Sequence, residues 1–229
     1  TQETFIELWN RGLIYMATRP NNYCIDCKTT IADAEVVYEE RPTKLLYVKF
    51  RVKETGEDLI IATTRPELLC SCGLVVVHPS DERYKGLHGE HAVVPIFGHE
   101  VEIRPHPSVK PEFGSGVVMV CSYGDYTDVL IFRELGLKEI IAIDENGRMT
   151  SNAGAYAGLT VSEARSKIIE DLSSKGLLVK EEVIMHRTPL CERSKTPIEI
   201  IPMMEFYLKQ LDFVPELRKI AQQLIFHPE

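Results

Sequence analysis

Apolar residues occupy every second position from Leu46 to Val52. This period of two is typical of a half-buried β-strand. Six further short segments, rich in Val and Ile and separated by turns with Gly, Pro or His, predict strands as well. They are Leu59–Thr63, Gly73–Val77, Ala92–Phe97, Glu100–Arg104, Val117–Cys121 and Glu139–Asp144. Such a series indicates a barrel or closed sheet rather than regular alternation of strands and helices.

Helical spacing of apolar residues predicts helices near both ends and between the strands. The predicted helices are Thr4–Leu13, Thr127–Leu135, a helix from Thr160 to Gly176, and Pro215–Ile225. Thr160 and Glu163 have the spacing of a capping box, which marks a helix start. Leu177–Met185 predicts a returning strand, and we expect the chain to turn helical again after Pro202.

These elements predict an α+β fold with three regions. A β-rich, barrel-like core is expected at residues 40–183. The two ends, 1–39 and 184–229, each carry Cys and Pro motifs, and we expect them to lie together as a small stalk. An inserted domain needs its two ends close in space, and this arrangement would supply that.

Composition narrows the possible partners. With 26 basic and 34 acidic residues the net charge is −8, which argues against a stand-alone, non-specific nucleic-acid binder but permits a local grip on one flexible end. No apolar run approaches membrane-spanning length, so no membrane partner is expected. The six cysteines lack framework spacing, which favours a reducing compartment, the cytoplasm. The chain does not begin with Met, and we interpret it as a fragment of something longer that is monomeric by itself.

The first candidate site is the strand end formed by Thr63, Thr64 and Arg65. Because Arg65 precedes a proline, its backbone is held extended, and its guanidinium could bind a phosphate or carboxylate. Solvated side chains at a strand end are the alternative. Phe113 precedes Gly114-Ser115-Gly116, where the glycines permit close approach of a ligand or form a plain hairpin or bulge.

Two carboxylates, Asp125 and Asp128, open the helix predicted near residue 127. An N-cap aspartate and a first-turn aspartate both stabilise the positive end of a helix, which explains them without function. As a functional alternative, they hold an ammonium group or position a water molecule.

The cysteines divide into two groups. Cys24-x-x-Cys27 has the spacing of half a zinc site, and Cys191 with His186 could complete it, although Ser194 stands where a fourth cysteine is expected. A metal-free knuckle is the alternative. Cys70, Cys72 and Cys121 lie in apolar runs and are interpreted as buried thiols rather than nucleophiles.

Four motifs together resemble the editing domain of valyl-tRNA synthetases, and their order and spacing agree over nearly the whole chain. They are Ala62-Thr63-Thr64-Arg65-Pro66-Glu67, His78-Pro79-Ser80-Asp81-Glu82-Arg83-Tyr84, Phe113-Gly114-Ser115-Gly116 and Gly124-Asp125-Tyr126-Thr127-Asp128. The cysteine segments resemble the stalk that joins this insertion to the catalytic domain. Leu68, Cys70 and the residues of the last motif resemble those of archaeal members of this family.

The resemblance implies a β-barrel-like domain that hydrolyses threonine mis-attached to tRNA for valine. Threonine is nearly isosteric with valine, so a synthetic pocket rejects it only weakly and a second site must remove it. By this resemblance Asp128 holds the α-amino group and Asp125 lies near the attacking water. Arg65 and Phe113 contact the substrate or the terminal adenosine. A ribose hydroxyl assists, and no cofactor is needed for editing.

Some positions depart from bacterial-type members of that family. Those members have Thr at Leu68, Asp at Cys72, Lys at Met119, Thr at Cys121 and His at Gly124, so the groups that recognise the threonine hydroxyl are left open. The synthetic signatures His-x-Gly-His and Lys-Met-Ser-Lys-Ser are missing from this sequence, which predicts no synthetic active site. Two alternatives stay open: an editing domain for another amino acid, and an insertion that docks tRNA without catalysis.

Overall fold

The structure, a computed structural model, describes residues 1–225 and forms two compact units. The larger unit spans Pro20–Ile201, and the smaller contains Thr1–Arg19 and the segment that starts at Pro202. In the described residues the strands are β1 (Ile14–Cys24), β2 (Thr29–Thr30), β3 (Val36–Val52), β4 (Asp58–Thr63), β5 (Cys72–Val77), β6 (His91–Val93), β7 (Glu100–Pro105), β8 (Val117–Cys121), β9 (Leu178–Cys191) and β10 (Glu199–Leu208). The α-helices are α1 (Gln2–Asn10), α2 (Tyr126–Leu135), α3 (Val161–Ser174) and α4 (Val214–Gln223). The predicted α+β class is confirmed.

A curled, seven-stranded sheet dominates the larger unit, with the order β4-β3-β6-β7-β5-β8 and with β9 paired to β3. The long strand β3 is the hub, because it pairs with β9 from Val36 to Val48 and with β4 from Leu46 to Arg51. Strand β5 runs parallel to β7 and antiparallel to β8. Strands β10, β1 and β2 form a second, three-stranded sheet.

Strand β5 is buried on both faces. Val75 and Val77 belong to the main core, which α3 covers with its apolar stripe, whereas Leu74 and Val76 belong to a second core under α2. Two-sided burial explains why this strand is a continuous apolar run instead of an alternating one. Helix α2 is thereby fixed against the sheet.

The smaller unit contains an aromatic cluster. The rings of Phe5 and Trp9 on α1 each meet Phe206 edge-on, at centroid distances of 5.3 and 5.9 Å. Edge-to-face contacts of this kind add to the energy of burial. The cluster explains why Phe5 and Trp9 share one face of the predicted helix.

Most predicted elements are found, and three predictions are wrong. Glu139–Asp144 is not a strand, because Ile140 N donates to Ser122 Oγ and Asp144 closes a turn by accepting from Asn146 N. Strand β6 ends at Val93, because a tight turn follows in which Ile96 has a positive φ. The segment after Pro202 is extended rather than helical. Apolar Met204, Phe206 and Leu208 alternate with polar residues there, and this is a strand pattern.

The predicted boundaries at residues 39 and 183 stay predictions, and strands β3 and β9 run across them. Whether the two chain ends form a stalk stays a prediction as well. Within residues 1–225, no helix has the length and apolarity that crossing a membrane requires.

Candidate active site

Helix α2 carries both candidate carboxylates at its first turn, and packing fixes where that turn lies. Phe132 on α2 is buried over Gly73 at the start of β5, where a Cβ atom would come within 2.5 Å of the Phe132 ring. A larger residue at position 73 would push the helix away. The sequence of β5 therefore decides the position of the helix that carries Asp125 and Asp128.

Asp125 and Asp128 have different partners. Asp125 is the N-cap of α2, and its Oδ1 accepts a hydrogen bond of 2.8 Å from Asp128 N. Asp128 reaches back toward the end of β8, where its Oδ2 accepts from Cys121 N at 3.0 Å. The capping interpretation is correct for Asp125. Asp128 is instead half-buried, and its hydrogen bond from Cys121 N holds the carboxylate against the end of β8.

The pKa of Asp128 is raised well above its ordinary value. Burial is the main cause, and the charge of Asp125 adds to it, whereas the Cys121 N–H and Arg65 act in the opposite direction. A carboxylate that lacks water gains strongly from an ammonium partner. Asp128 is therefore chemically suited to bind the amino group of a ligand.

Arg65, at the end of β4, lies close enough to Asp128 to lower its pKa, but its guanidinium is already held by two carboxylates. Its Nε donates to Glu67 Oε1 at 2.9 Å, and its Nη2 donates to Glu199 Oε2 at 2.7 Å. Burial disfavours the charged form of Arg65, and Glu199 and Glu67 more than offset this, so the pKa of Arg65 is raised. Arg65 is a fixed positive charge within electrostatic range of Asp128.

Glu67 is fully buried between two arginines. Besides Arg65 it accepts two hydrogen bonds from Arg165 on α3. Burial by itself would raise the pKa of Glu67, and the two guanidinium groups outweigh it and lower the pKa. Neither Arg165 nor Glu199 was predicted as a site residue. Arg165 follows the buried Ala164 on a helix, and a single charged residue beside an apolar stripe gives no signal for such a role.

The other predicted substrate contacts are brought to the same strand end. Thr63 is buried, and its hydroxyl accepts from Arg65 N at 3.0 Å, whereas Thr64 is half-buried. Phe113 is 53% exposed on a loop whose Gly114 packs against β4. A Cβ atom on Gly114 would lie 2.5 Å from that of Ala62. The glycine at position 114, with φ +60°, therefore lets the loop that carries Phe113 pack closely against the Ala62 side chain, next to Thr63 in sequence.

The three thiols next to the site are unsuited to nucleophilic chemistry. Cys70, Cys72 and Cys121 are buried, and burial raises the pKa of Cys70 to about 12. A hydrogen bond with Cys72, together with burial, raises the pKa of Cys121. Thiols with raised pKa values are poor nucleophiles, because the thiolate is the reactive form.

The predicted metal ligands are only partly brought together. The sulfur atoms of Cys24, Cys27 and Cys191 all lie within 4.8 Å of one another. His186 is outside this group, and its Nδ1 lies 3.3 Å from the hydroxyl of Thr188. The fourth position faces Ser194, whose Oγ lies 3.2 Å from Cys24 Sγ. The donor set therefore fits three positions of a zinc site, and a serine hydroxyl is a poor fourth.

Similar proteins show the family to which the chain belongs. The model of the family of class I tRNA synthetases (I, L, M and V) matches residues 1–225. The chain belongs to this family. The valine–tRNA ligases of Aeropyrum pernix and Nanoarchaeum equitans are 53% and 52% identical to it over 229 residues. That of Methanocaldococcus jannaschii is 46% identical over 229 residues.

Each of these alignments covers 100% of the chain but only 28%, 30% and 26% of the respective synthetase, so the chain spans less than a third of these relatives. The predicted resemblance to archaeal valyl enzymes, in their connective polypeptide region, is confirmed. Among solved structures, the agnB2 LeuRS of Agrobacterium radiobacter K84, in a ternary complex with tRNA and LeuAMS, has a TM-score of 0.53 at 16% identity. It covers 88% of this chain and 35% of that one, and at this identity the likeness concerns the fold alone.

Proposed function

We propose that this chain is the editing region of a valine–tRNA ligase and hydrolyses the ester that joins threonine to tRNA for valine. The observation that carries the proposal is the half-buried carboxylate of Asp128, held by Cys121 N and within electrostatic range of the Arg65 guanidinium. An aminoacyl ester has an α-ammonium group next to its carbonyl. Binding of the ammonium by Asp128 would hold that carbonyl in one place at the N-terminus of α2.

The remaining groups support hydrolysis by water. Asp125 is exposed and caps α2 with Oδ1. Its other carboxylate oxygen, Oδ2, would orient a water molecule. Water attacks the carbonyl carbon, the bond to the ribose oxygen breaks, and a proton passes to that oxygen, with help from the neighbouring ribose hydroxyl. The products are free threonine and the uncharged tRNA. No protein nucleophile is needed, in agreement with the raised pKa values of Cys70 and Cys121.

The partners follow from this reaction. The 3′ end of the tRNA, with its amino acid, would enter beside Thr63, Thr64, Arg65 and Phe113. The rest of the synthetase would hold the body of the tRNA, because this chain has a net charge of −8 and spans less than a third of its relatives. We expect this to take place in the cytoplasm, without a membrane partner and without a cofactor for editing.

A deacylation assay without ATP tests the proposal. We expect the chain to hydrolyse Thr-tRNA for valine and to spare Val-tRNA, and we expect Asp128→Ala to abolish the activity. Asp58→Ala is the matched control, because Asp58 is an exposed aspartate at the opposite end of β4 from Thr63. Unchanged hydrolysis by Asp128→Ala would contradict the role of Asp128.

A panel of mischarged tRNAs extends the same assay to the alternatives. Hydrolysis of a different mischarged tRNA, with Thr-tRNA spared, would assign the site to another amino acid. Binding of charged tRNA without hydrolysis of any member would indicate a docking insertion.

We also propose that Cys24, Cys27 and Cys191 would hold a structural zinc ion with three thiolates. They bring together segments far apart in sequence, and a bound ion would stabilise that junction. His186 has no part in this proposal.

A further inference from the structure

The motif at residues 78–84 reaches the loop that carries Phe113. Arg83 Nη2 donates to the carbonyl of Pro111 at 3.0 Å, and the Tyr84 hydroxyl donates to the carbonyl of Ser115 at 2.8 Å. The two contacts hold the loop on both sides of Phe113. They join side chains to backbone, so the amino acids of the loop do not reveal them.

Asp81 fixes the arginine of this pair. Its two oxygens accept from Arg83 Nε at 2.9 Å and from Arg83 Nη2 at 2.6 Å, and Oδ1 also accepts from Arg83 N at 3.1 Å. Asp81 is buried, and the guanidinium lies 5.1 Å from the centre of the Tyr84 ring. A bidentate pair of this geometry leaves the arginine little freedom.

The glycines of the loop fit this arrangement. Gly116 has φ +78°, and a Cβ atom there would lie 2.5 Å from Arg83 Nη2 and 2.8 Å from the Pro111 carbonyl. On its other side, Gly114 packs against Ala62 of β4. The loop is therefore held between β4, which ends two residues before Arg65, and the side chains of Arg83 and Tyr84. Phe113 stays exposed at its tip.

We propose that Arg83 and Tyr84 are positioning residues that fix Phe113 as a platform for the terminal base of the tRNA 3′ end. An exposed aromatic ring on a rigid loop suits stacking with a nucleobase, which tolerates any base because each has a π-face. This inference rests on the proposed function and adds to it. It assigns Arg83 and Tyr84 to substrate binding, through the position of Phe113.

A double-mutant cycle tests it, with deacylation of Thr-tRNA as one readout and binding of a non-hydrolysable threonylamido analogue of the 3′-terminal adenosine as the other. Arg83→Met, Tyr84→Phe and Phe113→Ala are made singly and in pairs. We expect each to raise KM and the Kd of the analogue about threefold to tenfold, with kcat nearly unchanged. In the Phe113→Ala background, the other two changes should have no further effect.

Arg104→Met is the matched control, because Arg104 also pairs with an acid two residues before it, Glu102, at 2.7 Å. It should leave KM and Kd unchanged. Tyr84→Phe removes a single hydroxyl and keeps the test open if Arg83→Met does not fold.

The positioning role would be overturned if the Arg83 or Tyr84 change and Phe113→Ala had additive effects on Kd, or if the loss were confined to kcat. Failure of the analogue to bind the wild-type chain would also overturn it. A wild-type chain that binds the analogue but hydrolyses no mischarged tRNA would refute the proposed editing reaction alone. The cycle of Kd values would then still decide the role of Arg83 and Tyr84.

Discussion

Arg165 and Glu67, 98 positions apart in sequence, are joined by two hydrogen bonds, Nε to Oε2 at 2.9 Å and Nη2 to Oε1 at 2.7 Å. Glu67 is fully buried and also accepts a hydrogen bond from Arg65. Arg65 in turn is oriented by its bonds to Glu67 and Glu199. A buried carboxylate needs such partners, because an unpaired buried charge is very costly. Helix α3 thereby contributes to the orientation of Arg65 through Glu67.

Arg165→Met should destabilise the chain, because Glu67 would keep only Arg65 as its partner. We expect a loss of about 1 to 2 kcal/mol in the free energy of unfolding at pH 7, measured with urea; the loss is moderate because Arg165 is partly open to water. The control is Arg193→Met, which removes the pair between the exposed Arg193 and Glu35, a carboxylate that is only half-buried, and should have little effect.

The effect of Arg165→Met should also depend on pH. Since the pKa of Glu67 is lowered in the fold, its pairing stabilises the protein above the ordinary glutamate pKa and is lost as the pH falls through the lowered value. The difference between wild type and Arg165→Met should therefore shrink in acid. A difference that grows as the pH falls would contradict the pairing of Glu67.

Asp128→Asn should raise the melting temperature at pH 8 while it removes deacylation. The pKa of Asp128 is raised in the fold, so the folded state binds the proton more tightly than the unfolded chain does. The free energy of unfolding of the wild type therefore falls as the pH rises from the ordinary aspartate pKa through the raised pKa of Asp128. The asparagine variant has no carboxylate at this position and does not lose this stability. The two melting temperatures should converge below the ordinary aspartate pKa.

Asp58→Asn provides the comparison for this measurement, because Asp58 is exposed. It should not raise the melting temperature at pH 8, because its carboxylate is exposed and pairs with Lys49. A melting temperature of Asp128→Asn below that of wild type at pH 8 would show that the carboxylate stabilises the fold.

Gly124→Ala should impair deacylation without unfolding the chain. A Cβ atom on Gly124 would overlap Asp128 Oδ2, so the carboxylate must leave its place at Cys121 N. We expect kcat/KM to fall by at least about tenfold, because small misplacements of a reacting group are costly. Gly86→Ala is the control: position 86 is exposed, and a Cβ there meets nothing within 4 Å. Equal activities of the two variants would refute this account of Gly124.

Ser194→Cys should tighten zinc binding by completing a four-sulfur set with Cys24, Cys27 and Cys191. Thiolates are strong zinc ligands, whereas the serine hydroxyl beside Cys24 is not. Competition with a chromogenic chelator measures the affinity, and we expect a gain of at least about tenfold. Ser151→Cys adds an exposed thiol elsewhere and should leave zinc affinity unchanged. Equal affinities of both variants would place Ser194 outside the metal-binding set.

Local sequence was sufficient for the elements whose signals are local. Alternation from Leu46 to Val52 and the capping box of Thr160 and Glu163 both appear in the structure as predicted. Glu139–Asp144 was wrong because side-chain hydrogen bonds from a distant turn hold it irregular. Nothing within those six residues reports such a bond.

The sequence by itself determined the fold class, the family and the chemical types of the site: hydroxyls, an arginine, a pair of aspartates and an aromatic residue. Only the tertiary structure decided how they are used. It made Asp125 a helix cap and Asp128 a half-buried carboxylate bonded to Cys121 N, and it excluded His186 from the thiol group. The physical reason is that burial, pairing and pKa depend on neighbours distant in sequence, whereas periodicity and capping depend on residues within one turn.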